Sequence, residues 1–137
     1  MKVTNGNHRK SPEKNRKSTE KLYHKVVVWN KQSSYLASDH KGFPVIQRAI
    51  LKHNPNLVVL TEANLSSENL ANVANEFNGY VIHHKVIPGT SHARVAVMVK
   101  KSSLNLKRLK DLEHPDLACM WFKLKFKDQT IIMAAWY

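Results

Sequence analysis

Two spacings of hydrophobic residues alternate along this chain. The short apolar runs at residues 26–29 (VVVW) and 57–60 (LVVL) are typical of strands buried in a sheet. Between them, residues 43–53 carry apolar side chains three and four positions apart, which predicts an amphipathic helix. That helix should end before Asn54-Pro55, because the residue before a proline is pushed away from helical geometry. Strand, helix and strand in this order predict an α/β layer.

The pattern continues through the rest of the chain. A second helix is expected after Ser66, a residue type that caps helix N-termini, and Gly79 suits the left-handed residue that closes it. Residues 101–115 are polar and predict a loop or a short edge strand. Further strands are predicted at residues 80–87, 94–100, 117–126 and 129–137, with turns at Pro88-Gly89 and Lys127-Asp128.

The last predicted strand, residues 129–137 (QTIIMAAWY), is strongly apolar and suits a central position in a sheet. A sheet that stopped at this strand would leave an apolar edge open, which invites aggregation. We therefore expect the sequence to represent an incomplete domain. Trp29, Trp121 and Trp136 all fall in predicted strands and are expected in the core, as is Cys119.

The charge of the chain favours a polyanionic partner. The 137 residues include 22 Lys and Arg against 10 Asp and Glu, a net charge of +12, and a basic surface attracts nucleic acid. Residues 1–24 are basic and nearly free of apolar side chains, which predicts a disordered arm followed by a domain at 25–137. No apolar run approaches the roughly 18 residues of a membrane helix, and no secretory signal is evident. We expect an intracellular protein without a membrane partner, and the basic arm is compatible with a nuclear location.

Polar side chains follow both buried strands. Asn30 comes after the first strand and Glu62 after the second. In α/β layers, residues just past the carboxyl ends of buried strands line the ligand crevice. A carboxylate there can bind Mg²⁺, and an asparagine can hydrogen-bond a phosphate or orient a water molecule. From the residues alone, a capping asparagine and a solvated glutamate are the alternative, because polar residues are common at strand ends.

The order of these segments resembles the endonuclease/exonuclease/phosphatase superfamily over residues 25–137. The segments are VVVWN, a helix, NPNLVVLTE, a helix ending in NGY, HARVAVMVKKS, DLEHPDLACMWFKL and IIMAAWY. They are most similar to the endonuclease domains of non-LTR (LINE-type) retrotransposons. The resemblance implies the N-terminal half of a four-layer α/β/β/α sandwich, DNase I-like and truncated.

The resemblance also implies roles for four residues. Asn30 matches an asparagine close to the metal and the scissile phosphate, and Glu62 matches the principal metal ligand. Tyr137 matches a tyrosine whose hydroxyl contacts the phosphate, so Asn30, Glu62 and Tyr137 are the implied catalytic residues. Arg94 is expected to contact DNA or to support the structure. The family usually has Gln-Glu where this chain has Thr61-Glu62.

The implied activity is Mg²⁺-assisted hydrolysis of DNA phosphodiesters. The family's later Asp and Asn and its final Asp-His pair would follow Tyr137, so we expect this chain alone to be inactive. Asp39-His40 lies in the first loop and is interpreted as a coincidental pair. A reverse transcriptase domain is the partner expected in a full element. Two alternatives remain, a phosphatase of the same superfamily and a basic nucleic-acid-binding protein without catalysis; the sequence leaves the oligomeric state open.

Overall fold

The computed structural model describes residues 24–30, 43–101, 103–126 and 128–137, without the side chains of residues 43–45. Residues 1–23 of the predicted basic arm, the Asp39-His40 pair and Lys127 of the predicted turn lie outside the described residues. The domain boundary predicted at residue 25 remains a prediction.

Strands and helices alternate in the first half of the described chain, and strands dominate the second half. In chain order the elements are β1 (Val26–Asn30), α1 (Phe43–His53), β2 (Leu57–Leu65), α2 (Ser67–Glu76), β3 (Tyr80–Val86), β4 (Ala93–Lys100), β5 (Asn105–Arg108), a 3-10 turn (Lys110–Leu112), β6 (Cys119–Phe126) and β7 (Gln129–Trp136).

The strands form two sheets. The first sheet has the order β1-β2-β4-β3, in which β1 runs parallel to β2 and the other pairs are antiparallel. The second sheet has the order β5-β6-β7 and is antiparallel throughout. The parallel pair β1 and β2 is joined through α1, because parallel neighbours need a crossover connection.

Two apolar cores lie on opposite faces of the first sheet. Successive residues of a strand point to opposite faces, so β4 sends Met98 into one core and Val97 into the other. The first core packs α1 and α2 against the sheet through side chains that include Ile46, Ile50, Val73 and Phe77. The second core joins the two sheets through side chains that include Val59, Val95, Met120, Phe122 and Ala135.

Helix α2 begins as predicted and ends earlier. The Ser66 hydroxyl accepts a hydrogen bond from the Asn69 amide at 3.2 Å, which confirms the predicted N-cap. The helix gives way at Phe77, whose side chain is buried in the first core, so the prediction that Gly79 closes it was wrong. The glycine in the left-handed region is Gly89, with φ of 81°, in the predicted turn after β3.

Two further predictions of buried apolar residues fail, each for its own reason. Strand β1 was expected to be buried, yet Val26 is 53% and Val28 is 69% exposed. The second core is formed over β2 and β4, which leaves this face of β1 open. Trp136, expected in the core, is 60% exposed because it points to the outer face of β7, while its neighbour Ala135 points inward. The prediction of buried Cys119 is confirmed.

Candidate functional site

The parallel pairing of β1 and β2 brings Asn30 and Glu62 to neighbouring positions. In the parallel register Asn30 is paired with Thr61, so Glu62 lies one residue beyond the partner of Asn30. Adjacent strands are about 4.8 Å apart, so the two side chains start from neighbouring backbones. Asn30 is exposed and Glu62 is half-buried. The register therefore places the two polar residues on neighbouring strands, and their role in a site remains a prediction.

The sequence predicted that β2 ends before Glu62. The strand instead continues to Leu65 through a bulge. Glu62 has φ of 53° and Asn64 has φ of 46°, both in the left-handed region. The pairing with β4 shifts between Thr61 and Leu65. Glutamate seldom adopts this conformation, and such strain is concentrated at functional sites. Bulges also change the direction of a side chain, so this one separates Glu62 from the alternation of the preceding residues.

Arg94 lies opposite the bulge. Thr61 is paired with Val95 and Leu65 with Ala93, so residues 62–64 of β2 face the single residue Arg94 of β4. Asn30, Glu62 and Arg94 thus occupy three adjacent strands at one end of the first sheet. None of the described residues forms an ion pair with the Glu62 carboxylate, so its oxygens are available to a cation.

Tyr137 reaches the same end from the second sheet. Its backbone amide donates to the Ala118 carbonyl at 3.0 Å, which continues the pairing of β7 with the chain before β6. The Arg94 Nη1 atom donates to the Tyr137 hydroxyl at 3.3 Å, and the guanidinium carbon lies 5.3 Å from the centre of the ring. A cation over an aromatic face contributes about 0.5–1 kcal/mol at an exposed site. The arginine therefore holds the tyrosine against the bulged end of the first sheet.

One polar residue at this end, Asn64, was not predicted from the sequence. Asn64 is exposed within the bulge, two residues after Glu62, and its amide oxygen is a further hard donor close to the carboxylate. Asparagine tolerates the left-handed region better than most residues, so the Glu-Ala-Asn order after an apolar run was the available signal. Without the register of β4, that order does not distinguish a bulge from a simple strand end.

A second polar cluster joins the two sheets. Arg108 Nε donates to Glu113 Oε1 at 2.7 Å and Nη2 to Oε2 at 2.9 Å, while Nη1 donates to the His84 carbonyl at 3.0 Å. The Trp121 amide also donates to Glu113 Oε1 at 3.4 Å. Burial would raise the pKa of Glu113, but the hydrogen bond and charge of Arg108 outweigh it and lower the pKa below its usual value. The cluster is interpreted as structural because both charges are satisfied within the protein.

The adjacent histidines of β3 do not form a metal site. His83 stacks edge-on against Phe122 with ring centres 5.4 Å apart, whereas His84 is exposed. Burial first, and then the charge of Arg108, lowers the pKa of both imidazoles. Within the described ranges there is no group of three or more His, Cys, Asp or Glu side chains that could hold a metal ion by themselves. Among the same residues, no helix is long and apolar enough to cross a membrane.

The architecture is shared with known nucleases and phosphatases. No family model and no curated protein matches the sequence. The endonuclease domain of TRAS1, a telomere-specific non-LTR retrotransposon, is similar in structure with a TM-score of 0.58 at 15% identity, over 83% of this chain and 45% of that one. The AP endonuclease LMAP from Leishmania major gives 0.59 at 17% identity, over 83% and 40%. ANGEL2, a 2',3'-cyclic phosphatase, gives 0.56 at 19% identity, over 81% and 39%.

These identities are too low to transfer an activity, but the agreement of the folds confirms the predicted architecture. The chain spans less than half the length of each of these solved structures. The described chain has the DNase I-like α/β fold that these solved structures share.

Proposed function

We propose that Asn30, Glu62, Arg94 and Tyr137 form part of the phosphodiester site of a Mg²⁺-dependent endonuclease that acts on DNA when the domain is complete. The main support is the position of Glu62. Its backbone is in the left-handed region between Asn30 on β1 and Arg94 on β4, and its carboxylate forms no ion pair with any described residue. A carboxylate flanked by an amide on one side and a guanidinium on the other suits a metal and the phosphate that it contacts.

The oxygen donors at this end fit Mg²⁺. Glu62 supplies a carboxylate, and Asn30 and Asn64 supply amide oxygens. Mg²⁺ usually keeps several waters and binds through one or two carboxylates plus substrate phosphates, so a site with one protein carboxylate is adequate. The chemistry that a bound Mg²⁺ supplies is neutralisation of the charge that develops on the phosphate oxygens.

Arg94 and Tyr137 are suited to hold the phosphate. The Tyr137 oxygen accepts a hydrogen bond from Arg94, so the hydroxyl proton is left to donate to a further acceptor such as a phosphate oxygen. The guanidinium has five N–H donors in a planar fork that matches phosphate geometry, and one of them is used by the tyrosine. The pair would therefore bind the phosphodiester with both charge and direction.

Hydrolysis also needs a group that takes a proton from water. His92 precedes β4, but its Nδ1 is hydrogen-bonded with the Ser91 hydroxyl at 2.8 Å, and no carboxylate among the described residues orients it. A general base must lie within hydrogen-bond reach of the proton that it removes. We accordingly propose that residues 1–137 alone bind DNA and Mg²⁺ without appreciable cleavage. An intracellular, nuclear location and a reverse transcriptase domain in the same element belong to this proposal.

The test compares DNA affinity with and without Mg²⁺. The wild-type chain should bind DNA more tightly in Mg²⁺ than in the same ionic strength of NaCl. Glu62→Gln should abolish this increment, whereas Glu68→Gln, an exposed carboxylate on α2, should leave it unchanged. An increment that survives Glu62→Gln would refute the metal role. Mg²⁺-dependent nicking of plasmid DNA by the wild-type chain, absent in Glu62→Gln, would contradict the expected inactivity while supporting the site.

Two alternatives are each supported by a specific observation. A phosphatase is supported by the likeness to ANGEL2, and Mg²⁺-dependent release of phosphate from a small phosphoester would favour it.

Binding of nucleic acid without catalysis is supported by Lys107 and Lys123, which are directly opposed on β5 and β6. Like charges in this position repel each other, and a phosphate between them would relieve the repulsion. Salt-sensitive DNA binding that is indifferent to both Mg²⁺ and Glu62→Gln would favour this reading.

A further inference from the structure

Lys85 extends from the first sheet into the space between the two sheets. It is paired with Val95, whose side chain is fully buried in the second core, and residues paired across two strands point to the same face of a sheet. Lys85 is half-buried there. An ammonium group that is partly removed from water needs polar partners, because burial of an unpartnered charge is costly.

The partners of Lys85 are two backbone carbonyls in the 114–119 segment, which leads into β6. The Nζ atom donates to the His114 carbonyl and, at 3.4 Å, to the Cys119 carbonyl. No described carboxylate forms an ion pair with this ammonium. Among the described residues, these are also the only hydrogen bonds between the 114–119 segment and the first sheet. Lys85 therefore ties this segment to β3.

The same segment holds the backbone of Tyr137. Ala118 lies between the two carbonyls that Lys85 contacts, and its own carbonyl accepts the hydrogen bond from the Tyr137 amide at 3.0 Å. The Cys119 amide donates to the Leu117 carbonyl at 2.8 Å, so the chain makes a tight turn at Ala118. A displacement of the segment would therefore carry the backbone of Tyr137 with it.

Lys85 and Arg94 hold the two ends of Tyr137 from neighbouring strands. Lys85 acts on the backbone through the segment that it ties, and Arg94 donates to the hydroxyl. Lys85 is paired with Val95, the residue after Arg94, and adjacent strands are about 4.8 Å apart. Both anchors start from one corner of the first sheet, so together they fix the ring relative to the bulged end of β2.

We propose that Lys85 is a positioning residue of the candidate site, which sets the place of the Tyr137 hydroxyl by holding the 114–119 segment. The contact of that hydroxyl with a phosphate rests on the function proposed above, whereas its position does not. An ammonium suits this task, because it carries three donors on a flexible stem and can bond two carbonyls in different directions.

The first experiment observes Tyr137 directly. The chain is labelled with meta-fluorotyrosine, and the fluorine NMR resonances are assigned with Tyr137→Phe and Tyr80→Phe. Tyr80 is the internal reference, because its hydroxyl donates to the Pro55 carbonyl at 2.7 Å at the opposite end of the first sheet. Lys85→Met keeps the hydrocarbon stem and removes the ammonium. The Tyr137 resonance should move towards its position in the unfolded chain, while the Tyr80 resonance stays unchanged.

Lys101→Met is the matched control for the loss of charge. Lys101 is an exposed lysine directly after β4, at the end of the strand remote from Arg94. Its replacement lowers the net charge by the same amount and should move neither resonance.

The second experiment asks whether Lys85 acts through Tyr137. In the presence of Mg²⁺, Lys85→Met should weaken DNA binding about tenfold more than Lys101→Met, the usual effect of losing a hydrogen bond to a charged group. In a Tyr137→Phe background this additional loss should disappear, because the hydroxyl that Lys85 positions is no longer present. A wild-type chain that does not bind DNA would refute the proposed function, and the fluorine spectra would still decide the position of Tyr137.

The remaining outcomes each count against the role of Lys85. An unchanged Tyr137 resonance in Lys85→Met that is folded by circular dichroism would overturn the proposal. Equal displacement of the Tyr80 and Tyr137 resonances would show that Lys85 supports the whole fold, and would also overturn it. So would a loss of DNA affinity that is the same with and without the Tyr137 hydroxyl. If Lys85→Met does not fold, Lys85→Gln, which retains a donor for one of the two carbonyls, is judged by the same criteria.

Discussion

Replacing Glu62 by glycine should stabilise the protein while removing its metal-binding carboxylate. At φ of 53°, the Glu62 side chain meets the steric penalty that L-residues have in the left-handed region. That penalty is about 1–2 kcal/mol, and glycine is free of it. Glycine also gains backbone freedom in the unfolded chain, which costs about 0.5–1 kcal/mol. The balance predicts a gain of roughly 0.5–1 kcal/mol.

Glu62→Ala is the matched comparison, because it removes the same carboxylate but retains a Cβ atom and hence the strain. The free energy of unfolding, measured by urea denaturation, should be higher for Glu62→Gly than for Glu62→Ala by about 1 kcal/mol. For a chain of this length the corresponding difference in Tm is about 3–5 °C. If the alanine variant is as stable as the glycine variant, Glu62 is not held in a strained conformation, and the structural argument for its role fails.

Three further predictions concern stability. Phe122→Ala removes a fully buried ring and should cost about 3–5 kcal/mol of unfolding free energy in urea, whereas Leu51→Ala, 71% exposed, should cost less than about 0.5 kcal/mol. Folding lowers the pKa of His83, so the free energy of unfolding should be highest above the unfolded pKa of about 6.5 and should decrease at lower pH. His83→Gln should make the midpoint of urea unfolding depend less on pH between about pH 7 and 5. The pKa of Glu113 is also lowered, so its contribution is present above about pH 4.3 and is lost as pH falls further; Glu113→Gln should reduce the acid sensitivity in that lower range, and an unchanged profile would contradict the assignment.

Local patterns predicted the elements of this fold well. The spacing of Ile46 and Ile50 and the proline at residue 55 located α1, and the order of the apolar runs located six of the strands. The short strand β5 fell in a stretch for which a loop and an edge strand were both open. These features depend on periodicity and backbone sterics, which a sequence carries directly.

The predictions that failed concern tertiary packing, which is decided by how the sheets and helices pack against each other. Val28 and Trp136 are apolar residues in strands, as predicted, but both are exposed. Val28 lies on a part of the first sheet that the second core does not cover, and Trp136 points away from the first sheet. The bulge that holds Glu62 also escaped prediction, because it is defined by the register between β2 and β4 rather than by the residues of β2 alone. Both Asn30 and Glu62 were predicted to follow a buried strand, whereas Asn30 is the last residue of β1 and Glu62 lies within β2. The contact between Arg94 and Tyr137 joins two sheets and needed the structure.

The contact between Arg94 and Tyr137 has a consequence for the order in which the site comes apart. Among the described residues, β2 and β4 have a strand on each side, whereas β7 pairs with β6 alone, so the amides of β7 should exchange with solvent through smaller openings. Detachment of the β7 end would withdraw Tyr137 and leave Glu62 and Arg94, which lie on β2 and β4, in place. The amides of β7 should therefore exchange faster than those of β2 and β4, although all three strands contribute to one site. A phosphate bound to residues of both sheets should slow the exchange of the β7 amides.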